Sequence, residues 1–203
     1  MKPTTRAVRR VLAALALTGA AVAIPTAALA ASGSPARPAR AARSAAADPR
    51  SAAADAPRCG TGALTAWLGI PGDAFAGGAV YQLELSNTSG HTCALYGFPG
   101  VSAVAPGGHQ LGRAAGRGHA DPSRLVVLGR GATAHVELQI TDVANFPPSS
   151  CGQASAVALR VYPPGATRSL EVPFTFRGCS KAGPVYLHVG TTLGGTGIPG
   201  FSG

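Results

Sequence analysis

Apolar and polar residues alternate along several segments of this chain, and no other feature constrains its fold as strongly. The pattern is clearest at residues 81–86, 132–141, 169–176 and 185–189. A period of two gives a strand one buried side and one solvent-facing side, which is typical of antiparallel sheets. No segment keeps a helical period over three turns. The sequence therefore predicts an all-β fold.

Glycine, proline and asparagine separate these segments from weaker strand candidates, which lie at 64–68, 101–105, 125–128 and 157–161. About eight short strands joined by such turns predict a two-sheet antiparallel sandwich of immunoglobulin-like form. Asn87-Thr88-Ser89 matches a glycosylation sequon formally. Because Gly90 follows it, a tight turn explains this segment better.

The four cysteines, Cys59, Cys93, Cys151 and Cys179, all lie within the alternating part of the chain. In an exported protein an even number of cysteines is most simply explained by disulfides, and no C-x2-C spacing indicates a zinc site. Four cysteines allow three pairings. We favour Cys59–Cys93 with Cys151–Cys179, because each bond then closes one or two strand-turn units. Loop-closure entropy gives each bond about 3–4 kcal/mol.

The N-terminus has the organisation of a secretory signal peptide over residues 1–30. Basic residues up to Arg10 precede a charge-free apolar run at 11–24, and Ala28-Leu29-Ala30 supplies the small residues required for cleavage. This run is shorter than the roughly 20 residues of a membrane-spanning helix. We therefore expect export by the Sec route, followed by cleavage that leaves no integral membrane segment.

Residues 31–58 contain almost only Ala, Ser, Pro, Arg and Asp, a composition that buries too little apolar surface to offset chain entropy. We expect a disordered linker there, then the β-sandwich domain at 59–190 and a glycine-rich tail at 191–203. The formal net charge of +9 lies mostly outside the domain, because residues 59–203 hold eight basic and six acidic groups. A nucleic-acid partner needs clustered basic residues on the domain itself, so we exclude one.

Three stretches of the domain resemble those of a known family. They are LSNTSGHTCALYGFPGV at 85–101, LGRGATAHVELQITD at 128–142 and CGQASAVALRVYPPG at 151–165. With Cys59 and Cys179 they resemble the domain-of-unknown-function 4232 family of secreted actinobacterial proteins, over most of the domain. The resemblance implies secretion and a β-sandwich with paired cysteines. It implies no activity, so no catalytic residue is carried over.

Candidate catalytic groups form no recognisable constellation. There is no G-x-S-x-G elbow, the cysteines are expected to be oxidised, and the histidines are scattered. Glu84, Glu137 and Glu171 occupy outward strand positions, where a solvated charge is the ordinary role. His135 shares a strand face with Glu137, and a facing strand with His188 would extend this set, but two ligands without a third do not make a metal site. We therefore expect no catalytic site, no metal and no cofactor.

The stretch 106–124 is the strongest candidate for ligand binding. Its glycines let the backbone approach a ligand, and long loops in compact domains are often functional. It suits an anionic polymer such as teichoic acid or a sugar phosphate, and a mobile hairpin end is the alternative. The residues that would contact such a ligand are His109, Arg113, Arg117, His119 and Arg124.

These observations predict a secreted, non-enzymatic module that binds an anionic cell-envelope polymer or another secreted protein, either released or associated with the wall. The alternatives are an extracellular hydrolase of cell-wall polymers and an inhibitor of another secreted protein. An exposed patch with aromatic anchors would favour a protein partner. The aromatic residues to inspect are Trp67 and Tyr96, of which we expect Trp67 to pack in the core.

Overall fold

The structure, a computed structural model, describes residues 55–118 and 121–197, apart from the side chains of 70–73. The predicted signal peptide, most of the predicted linker, His119 and the end of the predicted tail lie outside this part of the chain. Within it, no helix is long and apolar enough to span a membrane.

The prediction of an all-β fold is confirmed. The described residues form twelve strands, two short 3-10 segments at Thr61–Ala63 and Val143–Asn145, and one four-residue helix, α1, at Pro148–Cys151. The strands are β1 (Leu64–Phe75), β2 (Gly78–Asn87), β3 (Cys93–Tyr96), β4 (Gly100–Val104), β5 (Gln110–Leu111), β6 (Gly116–Arg117), β7 (Leu125–Leu128), β8 (Thr133–Thr141), β9 (Gln153–Tyr162), β10 (Leu170–Cys179), β11 (Leu187–Val189) and β12 (Leu193–Gly194).

The strands pair into three sheets. A six-stranded sheet has the order β1-β2-β8-β11-β6, with β12 also paired to β8, and a four-stranded sheet has the order β10-β9-β4-β5. The third sheet pairs β3 with β7. The prediction of two antiparallel sheets is wrong in two respects. There are three sheets among the described residues, and β6 runs parallel to β11. Two-residue strands such as β6 carry no periodicity that a sequence could reveal.

Apolar side chains from the alternating segments meet in one core. Leu83 and Leu85 of β2 and Val136 and Leu138 of β8 are fully buried, and so is Leu159 of β9 in the four-stranded sheet. Burying one such side chain stabilises the fold by about 1.5–3 kcal/mol. The alternation that predicts the strands therefore also accounts for their packing.

The two disulfides form in the pairing that the sequence favoured, which is Cys59–Cys93 and Cys151–Cys179. The first bond joins the start of the domain to β3, where the N–H of Ala94 donates to the carbonyl of Pro57 at 2.8 Å. The domain thus includes Pro57, which the sequence placed in the linker. The second bond joins α1 to the end of β10.

Residues 191–197 pack against the domain, although the sequence placed them in a glycine-rich tail. Strand β11 pairs with the C-terminal half of β8, and β12 pairs with its N-terminal half. Between them, Thr192 is fully buried and its N–H donates to the carbonyl of Gly97 at 2.9 Å. The chain therefore crosses along one side of β8 between β11 and β12.

Asn87 forms a turn, as the sequence indicated, and its side chain is enclosed by the protein. The residue is fully buried, and its Nδ2 donates to the carbonyls of His91, Leu128 and Gly129 at 2.8, 2.9 and 3.1 Å. The N–H of Ser89 donates to Oδ1 at 3.0 Å. An amide nitrogen with three protein acceptors is not accessible to a glycan.

Candidate functional site

A row of polar side chains lies on the face of the six-stranded sheet opposite the core. His135, Glu137 and Gln139 alternate with buried residues along β8. The register places Gln82 of β2 beside Glu137, and His188 of β11 beside Gln139. Because directly paired side chains have Cβ atoms about 4.5–5.5 Å apart, the period-two pattern brings together polar groups from three strands.

These five side chains line a cavity of about 230 Å³. The connection that follows β6 adds Gly118 and Asp121 to its wall. The crossing from β11 to β12 adds Gly190 and Thr191, and Leu193 of β12 contributes an apolar contact. A concave surface with mixed polar and apolar walls is the usual form of a small-ligand site.

Two hydrogen bonds orient the polar groups of the cavity. His135 Nδ1 lies 2.9 Å from the carbonyl oxygen of Gly195. Because a carbonyl only accepts, Nδ1 carries a proton. Gln139 Nε2 donates to Glu137 Oε1 at 2.7 Å, which holds that carboxylate in one orientation.

Glu84 lies on the same face as the cavity residues, but it is buried. The sequence assigned it a solvated position like those of Glu137 and Glu171, and only the latter two are exposed. Glu84 is 0% exposed because the C-terminal chain covers it, and the N–H of Gly197 donates to its Oε1 at 3.1 Å. Within the described part of the chain, its Oε2 has no hydrogen-bond partner.

The surroundings of Glu84 favour its protonated form. Burial raises the pKa of this carboxyl above the usual 4.5, because the charged form loses its solvation. The Gly197 N–H and the nearby His135 act in the opposite direction and limit the increase in pKa. Gln82 Oε1, two positions earlier on the same face of β2, is also buried without a partner among the described residues. When Glu84 is ionised, its Oε2 and the Oε1 of Gln82 are two buried acceptors without a donor among the described residues.

Trp67 lies on this polar face rather than in the core, so the expectation of core packing is wrong. The register places it opposite Glu84, and its Nε1 donates to Ser86 Oγ at 3.1 Å. Its neighbours in β1, Ala66 and Leu68, pack against the core instead. Side chains alternate along a strand, so Trp67 must point away from the core when its neighbours point into it.

The predicted ligand-binding stretch, 106–124, does not form one cluster. Its strand β5 joins the four-stranded sheet and β6 joins the six-stranded sheet. The stretch contributes Gly118 and Asp121 to the cavity, while the guanidinium of Arg117 lies over the ring of Phe98, 5.8 Å from the centroid. The predicted contact residues within the described part are exposed and outside the cavity lining: His109, Arg113, Arg117 and Arg124.

The structure brings His135, Glu137 and His188 to one cavity, the grouping that the sequence considered for a metal. In the part of the chain that the structure describes, no three His, Cys, Asp or Glu side chains are close enough to hold a metal ion. A stable zinc site needs at least three protein ligands around one point. The arrangement suits hydrogen bonding to an organic ligand.

Sequence reasoning missed three residues of this site, which are Gln82, Gln139 and Asp121. The alternating pattern places both glutamines on the same side of their strands as Glu84 and Glu137, so a search along that face would have found them. Asp121 lies in an irregular connection, where no periodic signal exists.

Residues 59–192 match the model of a family described as a domain of unknown function, DUF4232. The chain belongs to this family. The matched segment contains both disulfides and all of the cavity lining except Leu193, and the match confirms the resemblance noted in the sequence. The family description names no activity. Neither a curated protein nor a solved structure matches the chain.

Proposed function

We propose that this member of the DUF4232 family is a secreted, non-enzymatic binding module that recognises a cell-envelope polymer through the cavity. The convergence of polar groups from three strands, among them Gln82, Gln139 and His188, on one concave face carries the proposal. A preformed cleft with a few oriented polar groups fixes a ligand by shape and by hydrogen bonding.

Two further features support an extracellular setting. Disulfides such as Cys59–Cys93 persist in oxidising compartments, and residues 1–30 have the organisation of a signal peptide. We also propose that the two larger sheets pack face to face as a sandwich of immunoglobulin-like form. The support is that Val136 of one sheet and Leu159 of the other belong to the same hydrophobic core.

Co-sedimentation of the exported chain with insoluble, purified peptidoglycan tests the proposed function. We expect the wild type to pellet with the polymer. Combining Gln82→Ala with His188→Ala removes two hydrogen-bonding groups from the cavity wall. At about 0.5–1.5 kcal/mol for each bond, the affinity is expected to fall roughly fivefold or more.

The matched control combines Gln153→Ala with His109→Ala, which changes the same residue types at exposed positions outside the cavity. Equal losses for both pairs, or no pelleting of the wild type, would overturn the proposal. Binding that is lost only when Arg113, Arg117 and Arg124 are replaced with alanine would move the site to the stretch 106–124. Release of soluble sugar or peptide by the wild type would identify an enzyme instead.

A further inference from the structure

The chain that follows β12 lies on the polar face of the six-stranded sheet, where two titratable side chains hold it. The carbonyl oxygen of Gly195 lies 2.9 Å from His135 Nδ1 on β8, and the N–H of Gly197 donates to Glu84 Oε1 on β2 at 3.1 Å. His135 and Glu84 are register partners on adjacent strands. Residues 195–197, which we call the strap, are therefore held at two points that can change charge.

The strap packs closely against β2. A side chain on Gly197 would collide with Gln82, so a glycine at this position permits the close approach. Beneath the strap, Glu84 is fully buried. Glu84 Oε2 and Gln82 Oε1 have no hydrogen-bond partner within the described part of the chain. The closed strap thus keeps two polar atoms from solvent without replacing the hydrogen bonds that water would give them.

An ionised Glu84 does not suit this closed arrangement. A carboxylate has about four lone-pair sites for donors. The strap supplies one N–H to Oε1, and no donor among the described residues reaches Oε2. A buried charge with too few donors is unfavourable, whereas water supplies the missing donors once the strap lifts. A protonated carboxyl carries no charge to solvate, so closing the strap over it costs less free energy.

The charged groups that face Glu84 modify this balance without reversing it. His135 of β8 and the Gly197 N–H favour the ionised form, yet burial raises the pKa of Glu84 on balance. Glu137, two positions beyond His135 on the same face of β8, carries a like charge. Trp67, the register partner in β1, does not titrate, and the strap itself has no titratable side chain. The closed strap therefore favours the protonated carboxyl.

We propose that residues 195–197 act as a pH-sensitive strap, which is closed over Glu84 while this carboxyl is protonated and is opened by its ionisation. Opening frees Gln82 and His135, which also line the cavity, so a change in pH alters the cavity wall. The proposal goes beyond the proposed function, because it does not depend on the ligand that the cavity binds. It describes a local opening, in which the strands beneath the strap stay folded.

Exchange of single amides with solvent, measured by NMR on the full exported chain between about pH 4.5 and 7.5, tests the proposal. Dividing the intrinsic exchange rate at each pH by the measured rate gives a protection factor. For Gly197 this factor should fall by up to tenfold per pH unit above the usual carboxyl pKa of 4.5, because opening the strap then releases a proton. It should also be at least about a hundredfold lower than that of Leu138 in the core, because local opening needs less free energy than unfolding.

Glu84→Gln keeps the shape of the side chain and removes its ionisation, so the protection factor of Gly197 should no longer change with pH. Glu171→Gln, at an exposed position of β10, is the matched control and should keep the wild-type slope. A wild-type factor that is constant with pH, or equal protection of Gly197 and Leu138, would overturn the proposal. A slope that persists in Glu84→Gln would overturn it too, and its loss in His135→Gln would then assign the response to the imidazole.

Discussion

Replacing Glu84 with glutamine tests whether the C-terminal chain buries a titrating carboxyl on the polar face of the sheet. Glu84 is fully buried, and the register pairs it with Trp67 of β1 on one side and with His135 of β8 on the other. The N–H of Gly197 donates to its carboxyl. Its burial raises the pKa in the folded state, and the N–H and His135 only partly offset that effect. Glutamine has the same shape and remains neutral at every pH.

The sign of the effect follows from proton binding. In the unfolded chain the Glu84 carboxyl titrates near 4.5, and in the folded state it keeps its proton to a higher pH. Between these two pKa values the folded state binds more protons, so the free energy of unfolding falls as the pH rises. One group changes this free energy by at most about 1.4 kcal/mol per pH unit. The decrease begins near the unfolded value and ends above the folded pKa.

The assay is urea unfolding at a series of pH values from about 4 to 8, followed by the fluorescence of Trp67, the single tryptophan of the chain. The difference in stability between Glu84→Gln and the wild type should grow in favour of the variant as the pH rises. Glu171→Gln, at an exposed strand position, is the matched control. A difference between Glu84→Gln and the wild type that stays constant across the series would refute the reasoning.

Three further variants test the fold. Replacing Cys151 and Cys179 together with alanine removes a bond across 28 residues, and loop-closure entropy predicts a loss of about 3.6 kcal/mol in urea unfolding; a loss below about 1 kcal/mol would contradict this. Leu138→Ala leaves a cavity in the fully buried core and should lower the free energy of unfolding by about 2–5 kcal/mol in the same assay. A loss below about 1 kcal/mol would mean that Leu138 points to solvent instead of into the core. Asn87→Ala removes the three hydrogen bonds that Nδ2 donates to main-chain carbonyls and should cost about 1–3 kcal/mol. Expression of the wild type in a glycosylating host should add no glycan mass at Asn87, and a glycan there would show that its burial is wrong.

The sequence predicted those parts of the fold that depend on local periodicity. The alternating segments became β2, β8, β10 and β11, because a strand between core and solvent repeats its apolar residues every second position. The disulfide pairing followed from the short separations along the chain. Strands β3, β5, β6 and β12 were not predicted. The last three have two residues each, which define no period, and β3 begins with three buried residues in a row, which show no alternation.

The misplacement of Glu84 has a different physical cause. Alternation identified the correct face of β2, but it says nothing about what covers that face. The cover is made by the backbone, through the carbonyl of Gly195 to His135 and the N–H of Gly197 to Glu84. Every residue type except proline has both groups, so the glycine-rich segment at 195–197 carries no side-chain signal for this contact and is typical of a tail.

The two faces of β8 make the binding and stability experiments separable. Val136 and Leu138 face the core, and substitutions there act on the free energy of unfolding. Glu137 and Gln139 alternate with these two residues along the strand and face the cavity. Polar substitutions there remove hydrogen bonds at a partly exposed surface, so they should change the free energy of unfolding little. Substitutions on the core face of β8 should therefore change the free energy of unfolding, and substitutions on its cavity face should change ligand affinity. If Glu137→Gln weakens co-sedimentation with peptidoglycan at unchanged stability, the cavity residues act on a ligand and not through the fold.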